Sequence, residues 1–334
     1  MKTEFNSITL SNDLKKKIKG KVLFDEFSRG RYSTDASLYQ IKPIGVVLPK
    51  DQFDVLNIIE YSQKNSIPLL ARGGGSSQCG QTVGECIVLD YSKYQNKILE
   101  FNAKEKFVWV EPGIVLDQLN EYLKPHGLWF PVDVSTSSRA TIGGMTGNNS
   151  CGSRSLYYGN MVNNVLAVES ILDDGSIHTF ENIDKNYLSK TNDQNRKFQI
   201  IKKCIDIREQ VENEINEHWP KTQRRVGGYN IDLINPNGFN SSNILVGSEG
   251  TLSLFNKIKL KLSEIPKKKI LGVCYFEKFH EAMTLTREMV KLKPTTVELM
   301  DKNLLDLAKE IPIYADGIKK YVIGDPKAVL MVEF

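Results

Sequence analysis

The chain has 334 residues, 40% of them hydrophobic and 25% charged, with a formal net charge of +4. That length accommodates two domains, the composition is that of a soluble globular protein, and so small a net charge gives no argument for nucleic acid. The lysine clusters Lys15-Lys16-Lys17 and Lys267-Lys268-Lys269 read as solvated faces.

Residues 1–42 read as a helical arm, with Leu10, Leu14 and Ile18 at helical spacing and Ser11 or Asn12 as the cap. Met1–Asn6 has no apolar core behind a positive start, so no signal peptide is expected. Ile44–Leu48 is a short strand. Pro49 and Asp51 then open a helix with Val55, Ile58, Ile59 and Ser62 on one face. The strand Ile67–Ala71 runs into a glycine turn, and Ile87–Asp90 is the next strand, a βαβ start that implies a small parallel sheet. Ile98–Phe101 and Phe107–Glu111 pair through Asn102-Ala103-Lys104, and Leu116 to Leu123 is helical. Val165–Leu172 and Ile177–Phe180 flank a hairpin turn at Asp173–Ser176, which leaves His178 exposed. Phe198 to Trp219 gives one or two helices, and Ile258–Leu262 a strand.

Glu264–Lys269, charged and with a proline, marks a domain boundary. Beyond it the reading is strand Ile270–Phe276, helix Phe279–Leu292 begun or capped by His280, strand Thr296–Asp301, a further helix, and strand Val329–Phe334. A strand ending there is expected to be poorly supported and to leave a sheet edge open. No apolar run approaches membrane-spanning length. The five cysteines, Cys79, Cys86, Cys151, Cys204 and Cys274, show no C-x-x-C spacing, so neither a zinc site nor an iron–sulfur cluster is readable and no metal is expected. An odd count without secretory context suggests reduced thiols and a cytoplasmic protein, with peripheral membrane attachment left open.

Three stretches carry the chemistry. In Arg72-Gly73-Gly74-Gly75-Ser76-Ser77, successive glycines can turn several N–H groups into one concavity suited to an anion. Two hydroxyls and the Arg72 charge add to it, and a diphosphate is the natural guest. No helix opens at the last glycine, so the Rossmann fingerprint does not apply, and Asp90 is discounted as a ribose acid. A glycine-rich surface loop is the alternative. The second stretch, Pro131–Gly159, is dense in Gly, Ser, Thr and Asn but keeps Ile142, Met145, Leu156, Tyr157 and Tyr158. A long loop of that kind is usually functional, and a large planar ligand accounts for both glycines and apolar residues. The third is Gly247-Ser248-Glu249-Gly250-Thr251-Leu252.

R-G-G-G-S-S, A-T-I-G-G-M-x-x-N-N-S-C-G-S-R-S-x-x-Y-G and G-S-E-G-T-L, in that order, resemble the FAD-binding domain of the vanillyl-alcohol-oxidase/PCMH superfamily. The nearest branch is the glycolate oxidase subunit, D-lactate and D-2-hydroxyglutarate dehydrogenase group. The resemblance implies an α+β chain. After the arm, 43–265 is a PCMH-type FAD-binding domain, a small parallel βαβ subdomain plus a larger mixed or antiparallel sheet with helices. Residues 266–334 are the start of an α+β capping domain.

It further implies FAD contacts from Arg72, Gly73, Gly74, Gly75, Ser76, Ser77 and Gln81; from Pro131, Thr141, Gly143, Gly144, Gly147, Asn148, Gly152, Ser153 and Tyr158; and from Gly247, Ser248, Glu249 and Gly250. No histidine or tyrosine stands beside Ser76 and Ser77, so the FAD is expected to be non-covalent. Arg224, Arg225 and Tyr229 match a basic residue and a G-Y pair near the substrate side, with a plain solvent face as the alternative.

The implied reaction is oxidation of a D-2-hydroxy acid of the lactate, glycolate or 2-hydroxyglutarate class. The implied partners are that acid and an electron acceptor: a quinone, an electron-transfer protein or an iron–sulfur subunit or domain. One departure matters. The group's H-G-x-x-G-N-x-H segment is missing, and His126, His178, His218 and His280 stand in no such motif, so the catalytic base is unidentified. The competing reading is a flavin-binding fragment or subunit without turnover of its own, completed by another chain or by a further C-terminal region. An NADPH-dependent enolpyruvyl reductase of the same superfamily is a weaker third.

Overall fold

A computed structural model describes residues 7–189, 195–222 and 224–334. Three sheets with their helices make up the bulk of it. The first has four strands in the order Lys21–Leu23, Gly45–Leu48, Ile87–Asp90, Leu69–Arg72; the last three are parallel and the first is antiparallel. Helix Gln52–Asn65 joins two parallel strands, capped by Asp51, whose side chain accepts from Asp54 N, and closed by Ser66 in the left-handed conformation.

The N-terminal arm is built into this unit. Ser11 and Asn12 do not cap its helix; they lie inside it, because Ser7–Lys17 is already helical. Leu10, Leu14 and Ile18 pack into one core with Val55, Ile58 and Ile59. The carboxylate of Asp54, buried at the start of its helix, accepts the backbone N–H groups of Lys19, Gly20 and Lys50. A carboxylate with three such donors is well satisfied, and it ties the arm to the sheet.

The second sheet is antiparallel, in the order Gly238–Asn240, Ile177–Asp184, Val165–Ile171, Leu254–Lys261, Phe107–Val110, Ile98–Asn102. It carries the main core. Helix Leu116–Leu123 buries Leu116, Leu119 and Leu123 there, beside the fully buried Phe130 and Phe180. Helices Arg196–Gln210 and Glu212–His218 follow the hairpin. The glycine-dense stretch 131–159 is less loop-like than its composition suggests. It contains the short helices Ile142–Gly147 and Ser155–Tyr158, and Met161–Asn164 follows.

The third sheet corrects an expectation. Ala328–Glu333 is its central strand, flanked antiparallel by Leu271–Phe276 and Thr296–Asp301. Helix Phe279–Lys291 covers one face through Ala282, Leu285 and Met289. Lys302–Glu310 and Pro312–Tyr321, two helices where one was expected, cover the other through Leu305 and Ile318. Val329 and Leu330 are therefore fully buried, and the last strand is the best supported of the three. Lys278, not His280, occupies the cap position of Phe279–Lys291. Among the described residues no helix is long and apolar enough to cross a membrane.

Candidate flavin-binding cavity

A cavity of about 450 Å³ opens where the parallel sheet meets the antiparallel one. Strand Leu69–Arg72 delivers Gly73–Cys79 as its first wall. Val134–Thr136 and residues of Ala140–Asn148 form the second, and Glu249, Gly250, Ser253 and Phe255 the third.

The first wall is held by the second. A Cβ on Gly73 would strike the Thr141 hydroxyl, and one on Gly74 would meet the backbone carbonyl of Arg139. The close approach these glycines permit is thus, in the first place, the approach of the protein's own second stretch. Gly75 has φ +64°, a conformation that favours glycine. The turn leaves the N–H groups of Gly74, Gly75, Ser76, Ser77 and Gln78 without an acceptor among the described residues. Such a run of unspent donors is an anion-binding nest.

Arg72 plays a different part from the one its charge suggests. It lines the cavity, but its guanidinium donates to the carbonyls of Tyr32 (3.3 Å), Thr34 (2.8 Å) and Thr82 (3.0 Å) and lies over the Tyr32 ring. Burial lowers its pKa. It braces the loop against the Arg29–Tyr39 segment instead of offering a free cation. Asp90 is structural as well. It accepts the Tyr32 hydroxyl at 2.5 Å together with the Ser92 hydroxyl and N–H. Burial, then the Asp90 hydrogen bond, pushes the Tyr32 pKa up.

Gln81 joins the first wall to the third. Its Oε1 accepts from the Ser77 hydroxyl and Cys79 N, and its Nε2 donates to Glu249 Oε1 at 3.3 Å. Helix Ile142–Gly147 of the second wall is capped by Thr141, which accepts from Gly144 N. Gly143 is packed on Pro112, whereas a Cβ on Gly147 would meet only ordinary contacts. The third motif clamps the end of that helix: Gly247 N donates to Thr146 O and Glu249 N to Gly147 O. Glu249 and Gly250 both take positive φ to make that wrap.

Of the residues expected at the flavin, Arg72, Gly73, Gly74, Gly75, Ser76, Ser77, Gln81, Thr141, Gly143, Gly144, Gly147, Asn148, Glu249 and Gly250 line this cavity. Pro131, Gly152, Ser153, Tyr158, Gly247 and Ser248 are not among its lining residues. Ser153 bonds to Asp133, and Tyr158 packs edge-on to Trp129.

Arg224, Arg225 and Tyr229 lie outside the lining as well. Arg225 is committed to Asp232 at 2.5 Å and lies over Trp219; Tyr229 shares a hydrogen bond with Thr251. Arg224 is exposed, and its Nε donates to Cys151 Sγ, which does line the cavity. None of the four histidines lines it. His178 is half-buried rather than exposed, with Nε2 buried and unpartnered, and burial lowers its pKa.

Sequence reasoning missed Tyr91, Cys151, Ser253 and Phe255 as lining residues. Tyr91 was within reach, because it directly follows a parallel strand, and ligands gather at the carboxyl ends of such strands. The Tyr91 and Ser253 hydroxyls are buried without a partner. With Pro112, Ala140, Met145 and Phe255 as apolar wall, the cavity suits a flat ligand with polar edges and an anionic tail. That is the chemistry of FAD.

Residues 43–181 match the family model described as an FAD binding domain. The D-2-hydroxyglutarate dehydrogenase of Haemophilus influenzae is 35% identical over 293 residues, 83% of this chain and 28% of that protein. The glycolate oxidase subunit GlcD of Bacillus subtilis is 26% identical, over 95% of this chain and 57% of the subunit. The chain therefore spans little more than a quarter of the dehydrogenase's length and about half of the oxidase subunit's. Among solved structures, an alkyldihydroxyacetonephosphate synthase matches with a TM-score of 0.71 at 18% identity, covering 100% of this chain and 57% of that one; the likeness is one of fold.

Proposed function

Because the chain is a member of the PCMH-type FAD-binding proteins, we propose that it holds FAD non-covalently in this cavity and serves the oxidation of a D-2-hydroxy acid to its 2-oxo acid. The observation that carries this reading is the run of unspent N–H groups from Gly74 to Gln78, faced by a second glycine wall. Those amides would hold the diphosphate, and oriented donors of this kind bind anions without a full positive charge. Tyr91 and Ser253 offer hydroxyls to the polar edges of the ligand. Bound FAD supplies the hydride acceptor for the carbinol carbon, the step no side chain can perform.

For the substrate carboxylate, Arg224 is the favoured anchor of the three expected residues. Arg225 is committed to Asp232 and Tyr229 to Thr251. Arg224 spends only Nε, on Cys151, and keeps the planar fork that suits a carboxylate. Single-residue substitution with anaerobic flavin bleaching by D-lactate, D-2-hydroxyglutarate and glycolate tests the reading. Bleaching by one of them, weakened in Arg224→Ala, supports it; purified chain devoid of FAD refutes it.

A second reading has its own support. No histidine lines the cavity, and positioned acid–base groups contribute about 10²–10⁴-fold to rate. The chain would then be the flavin-holding part of a larger protein or assembly, and the same assay would show bound FAD that none of the three acids bleaches. The electron acceptor, whether a quinone, an electron-transfer protein or an iron–sulfur partner, would also be supplied from elsewhere.

A further inference from the structure

Arg154 takes no part in lining the cavity, yet its guanidinium is held by two carboxylates. Its N–H donates to Asp133 Oδ1 at 3.0 Å and its Nη1 to Asp133 Oδ2 at 3.1 Å. Its Nε and Nη2 reach the two carboxylate oxygens of Glu333 at 3.1 and 3.2 Å, a fork on a fork. The guanidinium also lies over the Trp129 ring, 5.7 Å from its centroid. Glu333 ends the central strand of the C-terminal sheet and has Lys269 as a second, longer-range cation at 3.9 Å.

The placement of the partners gives this cluster its meaning. Asp133 is followed by the lining residues Val134, Ser135 and Thr136, and Gly152 follows the lining residues Ser150 and Cys151. Gly152 leaves no room for a side chain beside Asp133, so these two wall segments are already pressed together there. Helix Ser155–Tyr158, which begins right after Arg154, also packs on strand Thr296–Asp301. Trp129 pairs through its strand with Ser263, just before the Glu264–Lys269 linker.

We propose that Arg154 is a positioning residue: forked between Asp133 and Glu333, it fixes the C-terminal sheet against two wall segments of the cavity. The consequence for the flavin rests on the cavity being the flavin site proposed above. The chemistry asks for arginine. A lysine keeps the charge but cannot serve two carboxylates in one plane or lie flat on Trp129. Removing either partner leaves a partly buried charge without its counterpart, so both sides of the pair loosen the same joint.

The test uses the full chain, loaded with FAD and stripped of it, and reads tryptic cleavage at Lys267–Lys269 together with the visible spectrum of bound flavin. Glu333→Gln and Arg154→Lys should each speed cleavage at the linker by about tenfold and combine non-additively. Both should shift the flavin spectrum while the thermal unfolding of the remaining protein changes little. Arg154→Ala should behave likewise and regain slow cleavage in millimolar guanidinium. Linker cleavage within about twofold of wild type in all three variants overturns the proposal, as do strictly additive effects without guanidinium rescue. If wild-type chain takes up no FAD, the flavin reading fails, and linker cleavage still decides the role of Arg154.

Discussion

Gly74→Ala is the sharpest perturbation of the site, because its added atom has a definite collision. A Cβ there would lie 2.9 Å from the Arg139 carbonyl carbon and nearer still to its oxygen, while ordinary contact begins at 3.4 Å. Neither group is the far end of a flexible side chain. With the oxygen at 2.2 Å, the loop and the second wall must separate by about an ångström, and overpacking of that kind costs about 1–3 kcal/mol in stability. Binding should suffer more. A hydrogen bond to a charged group is worth roughly 1.5–3 kcal/mol, so loss of aim by two of the five free N–H groups removes about 3–6 kcal/mol and weakens FAD affinity about 10²–10⁴-fold. Titration of stripped protein with FAD, followed by flavin fluorescence, measures this, with circular dichroism to verify folding. Gly84→Ala is the control: its Cβ would meet only Cys86 Sγ at 3.5 Å and Leu70 at 3.8 Å, and affinity should stay as in wild type. A Gly74→Ala protein binding FAD within about threefold of wild type would refute the reasoning.

Acid or heat precipitation should release all flavin as FAD; flavin left on the precipitate would contradict non-covalent binding, and FMN would undermine the diphosphate loop. Arg224→Ala should leave thermal stability unchanged and weaken bleaching by the active acid, whereas Arg225→Ala, which breaks a half-buried pair with Asp232, should cost about 1 kcal/mol in denaturant titrations. Asp54→Ala should cost about 3 kcal/mol, since it strands three backbone N–H groups, and should free residues 7–23 to rapid hydrogen exchange; unchanged protection there would argue against the bracing role. Burial depresses the His178 pKa in the folded state, so the unfolded chain binds that proton more readily; stability should fall as pH drops below the ordinary value of 6.5, and His178→Gln should flatten this part of the profile.

The flavin motifs were legible because glycine runs and a capping threonine report backbone needs that are local. Thr141 before Ile142 and Gly75 in its turn are examples, and the alternating and helical runs located most elements within a residue or two. Contacts that join distant segments left no such trace. Arg72 read as a free cation because Thr34 and Thr82 become its acceptors only in three dimensions. Arg154 drew no role from sequence because its partner lies at the far end of the chain, in Glu333. His178 read as exposed from the turn before it, but Arg196 and Lys197, at the start of the next long helix, come within electrostatic reach and the ring is half-covered. The last strand looked unsupported because sequence order hides that it inserts between two earlier ones.

The interlock of Gly73 with Thr141 constrains how such a site can drift over generations. A side chain at position 73 needs a smaller residue at 141, but Thr141 is also the cap that holds Gly144 N, and losing a cap of this kind costs about 0.5–2 kcal/mol. The first change alone collides, and the second alone unwinds a wall. Neither single step is neutral, so any lineage altering one position must cross a fitness valley or change both together. Variation in ligand preference is then expected to accumulate at the rim, around the exposed Cys79 and Val226, where no such double requirement applies.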